Sequence, residues 1–461
     1  MRRTCWIWRS NVQASTPELH LRILAGLILA LLLCYANALG GDFQFDDYKV
    51  IVDNPAVQSW EAWRTTDGQG ALGLRPLLKL SYLLNWTSGT GVLGFHLVNV
   101  AIHLANTMLV YGLAMAWMDA QRVEARVASS TLSGWTALLF ALHPIHTEAV
   151  TYVCGRSTSL MTLFYMAGLL VYVRSTIERR PQLYATVPVL FALALAVKET
   201  AVTFPLALLA WELARGTRVR TIVQRQWPAW LMLVVGASYF LLNDRYLAQM
   251  QRSVELNSLL GNLATQSLAF AYLLRQWTLP LWLNIDPDLP LLHGLTDAAL
   301  FMLGLLASLL VLVGCWRNRP WVSFALLWAL IHLVPLYLFL PRLDIANDRQ
   351  LVLVAWPLAM ALVLEAQRWL QGRLLPWVLG ALALVLGGLT VLRNQDYASE
   401  IALWESTVQL SPNKARVHNN LGYAYKLAGR VGEARREYTA ALRLDPGHIK
   451  ARYNLQRLDQ P

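Results

Sequence analysis

A chain of 461 residues with 56% hydrophobic and only 15% charged residues is not an ordinary soluble enzyme, in which about a quarter are charged. A mean hydropathy of +0.40 also excludes intrinsic disorder, which requires low hydrophobicity. The formal charge of +11 sits in short basic clusters between apolar runs, which fits a membrane-oriented chain and not a nucleic-acid binder.

A lipid-crossing helix needs roughly 20 mostly apolar residues. The first such run, 21–39, follows Arg2, Arg3 and Arg9 and reads as an uncleaved first span with a cytoplasmic N-terminus. Residues 40–93 are polar, start acidic and carry Trp60, Trp63 and Trp86, as a first outer loop would. Asp46 and Asp47 are adjacent there. Adjacent acids repel, so one keeps its proton longer and approaches the range of a general base. They could equally share a divalent cation, Mg or Mn, or form a plain solvated acidic loop. Arg75 in the same loop is suited to a phosphate or to a lipid headgroup.

Further spans read at 94–117, 132–146, 157–173, 182–197, 200–214, 227–244, 297–316, 321–340, 350–366 and 375–392. His96, Asn99, His103 and Asn106 recur at helical spacing, so they share one face and are expected to bond to neighbouring helices. Two short runs flank His143 to Arg156, so this stretch is expected to dip into the bilayer inside the protein. His143, His146 and Glu148 lack the spacing of a helical zinc motif and read more simply as the polar lining of a cavity. Lys198 and Glu199 form either an interfacial ion pair or a phosphate contact. Asp348 and Arg349 are either an outer-loop pair or a phosphate-binding Arg held by its acidic neighbour.

The basic clusters Arg122/Arg126, Arg174/Arg179/Arg180, Arg215/Arg218/Arg220/Arg225, Arg317/Arg319 and Arg368/Arg373 fall on one side if the chain crosses about eleven times. Residues 264–283 are then re-entrant or interfacial, and the C-terminus is outside. The four cysteines, Cys5, Cys34, Cys154 and Cys315, lack C-x-x-C spacing and read as free thiols.

Composition changes sharply after residue 392. The expected organisation is a membrane domain over 1–392, with its first outer loop at about 40–93, and an extracytoplasmic helical domain over 393–461. Residues 415–448 match one tetratricopeptide repeat through Leu421, Gly422, Tyr425, Ala434, Tyr438, Ala441 and Pro446. One repeat cannot bury its own faces, so it must lean on its neighbours or on the membrane domain. It is either a structural cap or a docking surface for a protein partner.

The ordered set Phe45-Asp46-Asp47, Asp53-Asn54-Pro55, Arg75-Pro76-Leu77, His96 to Asn106, Leu139 to His146, Glu148, Gly155-Arg156, Lys198-Glu199-Thr200, Asp348-Arg349 and the repeat resembles a known family. It is similar to the GT-C membrane glycosyltransferases with tetratricopeptide repeats, the group of the animal transmembrane-and-tetratricopeptide-repeat protein O-mannosyltransferases and their bacterial relatives. The resemblance implies an all-α polytopic bundle of GT-C type. It implies transfer of a sugar from a polyprenyl-phosphate donor to a protein or glycan hydroxyl, on the extracytoplasmic side. It makes Asp46 the general base, with Asp47 positioning it or binding a metal. It places His143, His146, Glu148 and Arg156 around the sugar–phosphate, and Arg349 on the lipid phosphate, with Arg75 and Lys198 as second candidates.

The sequence departs from the family in having only about one and a half repeats and in Asn347-Asp348-Arg349-Gln350, where many relatives have Glu-Arg and an aromatic. The short tail and loops favour a bacterial inner-membrane protein with a periplasmic repeat. The rival readings are an oligosaccharide ligase, or a non-enzymatic scaffold or transporter.

Overall fold

The computed structural model describes residues 17–65, 73–120, 126–177, 184–242, 247–248, 251, 259–292, 295–333, 345–370 and 373–458. Arg2, Arg3, Arg9, Arg122, Arg179, Arg180 and the end of the 321–340 run lie outside them. The described residues are helical, without a strand. In chain order the helices are α1 (Pro17–Tyr35), α2 (Trp60–Thr65), α3 (Pro76–Thr87), α4 (Gly91–Ala120), α5 (Arg126–Leu142), α6 (Thr147–Val150) and α7 (Arg156–Ile177). There follow α8 (Thr186–Val197), α9 (Phe204–Ala214), α10 (Val219–Leu241), α11 (Leu259–Thr278), α12 (Leu295–Cys315) and α13 (Pro320–Leu333). The last are α14 (Ala355–Trp369), α15 (Leu374–Asp396), α16 (Glu400–Leu410), α17 (Ala415–Leu427), α18 (Val431–Leu444) and α19 (Ile449–Leu458).

Among the described residues, four helical segments are long and apolar enough to cross a membrane: Pro17–Gly40, Gly91–Ala120, Val153–Ile177 and Leu374–Asp396. Thr186–Val197, Met302–Cys315 and Pro320–Leu333 are apolar but shorter. The outward faces fit lipid contact: Leu303, Leu310, Val313, Leu384 and Val385 are large, apolar and exposed. Inside, Trp117, Trp211, Phe324, Trp328 and Trp356 form an aromatic nest, with Trp117 and Phe324 centred 4.4 Å apart. It joins α4, α9, α13 and α14, and so locks the two halves of the chain together.

The α5–α7 connection is the irregular part of the core. Pro144 forces His143 out of the helical region (φ −74°, ψ 125°), which ends α5. Two short 3-10 turns and α6 then carry the chain to α7, with every residue from His143 to Met161 buried. Broken backbone away from water must find partners within the protein. The polar stripe on α4 supplies them. Asn99 donates to the carbonyls of Val150 (3.1 Å), Val153 (3.4 Å) and Tyr152 (3.5 Å), and Asn106 donates to that of Ser159 (2.9 Å). His103 bonds the Ala141 carbonyl, and Thr390 of α15 donates to that of Leu142. Gly155 has no alternative side chain: a Cβ would stand 2.0 Å from the Glu148 carbonyl oxygen.

At the C-terminus, α17 and α18 form a hairpin whose groove is filled by Tyr438. A Cβ on Gly422 would lie 2.8 Å from that ring, so the helices approach only over glycine. The hairpin is fixed to the rest of the chain through residues 284–287. Asp286 accepts from Lys414 (2.6 Å) and from both arms of Arg416, and Asn284 donates to Ser411 (2.8 Å).

Candidate active site

The acid loop after the first span is built by backbone geometry. Phe45 adopts the left-handed region (φ 48°), which costs a non-glycine residue about 1–2 kcal/mol. The turn separates two neighbouring carboxylates. Asp46 is exposed, whereas Asp47 is fully buried and accepts from the amides of Gln44 (3.0 Å) and Cys154 (2.8 Å). Burial pushes the Asp47 carboxyl up to about 7, against the lowering effect of those bonds, and the Asp46 charge adds to the rise. A cation shared by the pair would need a free face on Asp47, and the enclosed Asp47 carboxylate offers none. No chemical step is therefore routed through a metal. Among the described residues, no group of three or more His, Cys, Asp or Glu side chains is arranged to hold one.

Tyr152, in the core break, is the strut between the acid loop and the late cation. Its hydroxyl accepts from the Asp46 amide (3.1 Å) and its ring stacks on Tyr397. The Arg349 guanidinium lies 6.0 Å from its ring centre. Arg349 itself pairs with Glu148 at 2.7 Å, and its backbone amide donates to the same carboxylate (3.2 Å). Glu148 is completely buried and Arg349 one-fifth exposed, so the pair presents its positive end outward.

A second Arg–Glu pair mirrors the first. Arg75 donates to Glu199 through Nε (3.0 Å) and a terminal nitrogen (2.7 Å), the bidentate fork that fixes a guanidinium most firmly. Arg75 too has left-handed backbone, at φ 56°. Burial raises the Glu199 pKa, but the Arg75 charge and its hydrogen bonds more than offset this and hold it down at about 2. Arg75 and Arg349 are near enough for their charges to oppose each other. Lys198 donates to Thr158 of α7 (2.7 Å) at the same junction.

The remaining sequence candidates are placed differently. Arg156 is fully buried, and its hydrogen-bond partners are neutral groups. It donates to the Asn99 side chain (2.6 Å) and to the carbonyls of Phe95 (3.0 Å) and Ser81 (3.1 Å), with its Cζ 4.9 Å from the Tyr82 ring centre. The structure thus makes Arg156 a buried cross-brace of α3, α4 and α7, with each of its three nitrogens bonded to a neutral group. His143 bonds the Trp277 carbonyl (2.9 Å) and stacks on that indole. His146 is sealed among His103, Phe140 and His143. Asp348 is buried beside Glu148. Burial first, and then the Glu148 charge, raise its carboxyl well above the usual range, against Arg393.

Sequence reasoning did not single out Tyr152, Gln44, Arg393 or Tyr397. Gln44 donates to the Tyr397 carbonyl, which ties the end of α15 to the acid loop, and Arg393 donates to Asp396 within α15 (2.7 Å). Only their position among already chosen neighbours could have marked them.

The fold and site define a helical membrane protein with a paired-carboxylate loop, two outward guanidinium groups and a C-terminal helical repeat. Residues 415–448 match the family model described as tetratricopeptide repeat. Over 93% of its length the chain is 25% identical to "Protein O-mannosyl-transferase F38B6.6" of Caenorhabditis elegans, of which it covers 63%. It is 25% identical to "Protein O-mannosyl-transferase TMTC3" of Homo sapiens over 95% of the chain and 53% of that protein. A 156-residue stretch is 35% identical to "Protein O-mannosyl-transferase TMTC1" of Mus musculus, covering 31% of the chain and 16% of that relative. The chain therefore spans between about half and two thirds of the length of the two relatives that it matches almost end to end.

Proposed function

We propose that this chain is a GT-C type membrane glycosyltransferase. It moves a sugar, mannose by analogy with its relatives' names, from a polyprenyl-phosphate donor to a polypeptide hydroxyl at the outer membrane face. In this reading the chain crosses about eleven times, with the N-terminus cytoplasmic and the repeat outside, in a bacterial inner membrane. The observation that carries the proposal is the pair of partly exposed guanidinium groups, Arg75 and Arg349. Each is held by a glutamate from a distant segment, and they stand close enough to repel, beside the acid loop. Like charges held together in this way are relieved by an anion such as a phosphate.

The chemistry follows from those groups. The acceptor oxygen attacks the anomeric carbon and loses its proton to the Asp46 carboxylate. The bond from that carbon to the phosphate oxygen breaks, and the charge gathering on the leaving polyprenyl phosphate is met by Arg349 and Arg75, with Lys198 nearby. Asp47 and Tyr152 hold the Asp46 turn. An apolar cavity of about 260 Å³, lined by Leu139, Phe140, His143, Trp277, Leu382 and Leu386, lies beside the same break and suits a lipid chain. The test is sugar transfer by the purified chain from polyprenyl-phosphate mannose to a Ser/Thr peptide. Loss of transfer in Asp46→Asn and in Arg349→Ala supports the reading. Unchanged transfer in both variants sinks the roles given to Asp46 and Arg349, and no transfer by the parental chain leaves the scaffold reading.

A further inference from the structure

The segment that leads into the repeat is joined to the candidate site. The Asp42 amide donates to the Ala398 carbonyl (3.4 Å), just after α15, and Gln44 reaches Tyr397. The Phe45 ring sits edge-on to Trp404 of α16, with centres 5.0 Å apart. Trp404 is buried, yet Phe45 keeps 36% of its surface exposed although its backbone is strained. A large apolar ring held in that conformation beside an exposed carboxylate is costly unless something covers it.

The neighbouring Tyr48 gathers groups from three segments. Burial, then the charges of Glu400, Asp42 and Asp47, and finally Tyr423, all bear on its phenol. Tyr423 lies on α17 of the repeat and is 42% exposed. Charge here runs against the rest of the molecule. Residues 42–54 hold four carboxylates and one lysine in a chain of net charge +11, and Glu400 of α16 adds another carboxylate.

We infer that the acid loop and the repeat together form a docking wall for an extended polypeptide acceptor with basic side chains beside its hydroxyl residue. The inference rests on the transferase reading above and names its acceptor class. Phe45 and Tyr423 supply two exposed rings for the chain to lie against. Asp42, Asp53 and Glu400 supply the charge complementary to lysine or arginine. Continuity with Asp46 brings a hydroxyl on that chain to the proposed base. The same carboxylates repel an anionic glycan or a phospholipid headgroup.

The test is peptide binding to the full chain in zwitterionic lipid nanodiscs, read by fluorescence anisotropy, with Ser/Thr peptides flanked by Lys or by Glu. The Lys-flanked peptide should bind at least about tenfold more tightly and weaken with salt. Tyr423→Ala and Glu400→Gln should each weaken it about five- to tenfold, with Tyr423→Phe restoring most of the loss. Equal binding of the two peptides, insensitivity to both variants, or equal competition by an anionic glycan would overturn the inference. Failure of the transferase reading looks different: the peptide binds as described, but no sugar is transferred to it.

Discussion

At the residue scale, one backbone turn gives two neighbouring aspartates different environments. Asp46 keeps contact with water, whereas Asp47 is walled in by amides. In the proposed reaction Asp46 is the general base, whose removal typically costs 10²–10⁴-fold in rate, so Asp46→Asn should lower kcat by about that factor with little change in donor KM. The buried carboxylates also set a pH window for stability. Asp47 holds its proton to about pH 7 when folded but only to its ordinary 3.8 when unfolded, so the folded state binds more protons between these values. Its contribution is complete below pH 4 and is lost as pH rises through 7. Glu199 has the opposite sign. Its folded value near 2 lies below the ordinary 4.5, so its contribution is present above 4.5 and lost as pH falls toward 2. Thermal unfolding in detergent should therefore give the highest Tm at about pH 4, where the falling Asp47 contribution and the rising Glu199 contribution balance. Asp47→Asn should flatten the alkaline limb, and Glu199→Gln the acid one. A Tm that rises from pH 5 to pH 8 would contradict the Asp47 environment.

At the scale of elements, the core break between α5 and α7 and the polar stripe on α4 are two halves of one device. The stripe was legible in the sequence because four polar residues recur at helical spacing in an apolar run. So was the break, from the two short apolar runs that flank His143 to Arg156. That the stripe's main partners are the carbonyls of the break was not legible, since no periodicity records which chain segment lies opposite. The same gap explains Arg156. A cation in an apolar run reads as a ligand for an anion, yet here Asn99, two carbonyls and two aromatic rings enclose it. Tyr152 was invisible for the converse reason: a tyrosine in an apolar run carries no signal of its own. The repeat was fully legible, because its small and aromatic positions form one spacing pattern. If Arg156 is a brace, Arg156→Ala leaves buried acceptors unpaired and costs at least about 3 kcal/mol. A sharp fall in Tm and in folded yield should follow before any effect on catalysis can be assigned. Asn99→Ala should do the same by about 2 kcal/mol, whereas Arg349→Ala should lower transfer with a smaller loss of Tm.

At the scale of the whole molecule, what matters is that the C-terminal helices are built into the membrane domain and do more than follow it in sequence. The junction has two supports. On one side the acid loop rests on Tyr397, Ala398 and Trp404. On the other, Asp286 is buried between Lys414 and Arg416 at the entrance to α17. Breaking a buried pair from one side leaves uncompensated charge and costs about 3–5 kcal/mol; here two cations would lose their partner at once, each partly relieved by water. Asp286→Ala should therefore loosen α16–α19 from the membrane domain without unfolding the bundle. Limited proteolysis should release a C-terminal fragment at least about tenfold faster, since cleavage follows the population of the open form. Because the same helices support the turn that presents Asp46, transfer should fall along with protection. Were the repeat a tethered module, the variant would be cleaved faster and yet transfer sugar at the parental rate, and the two readouts would separate.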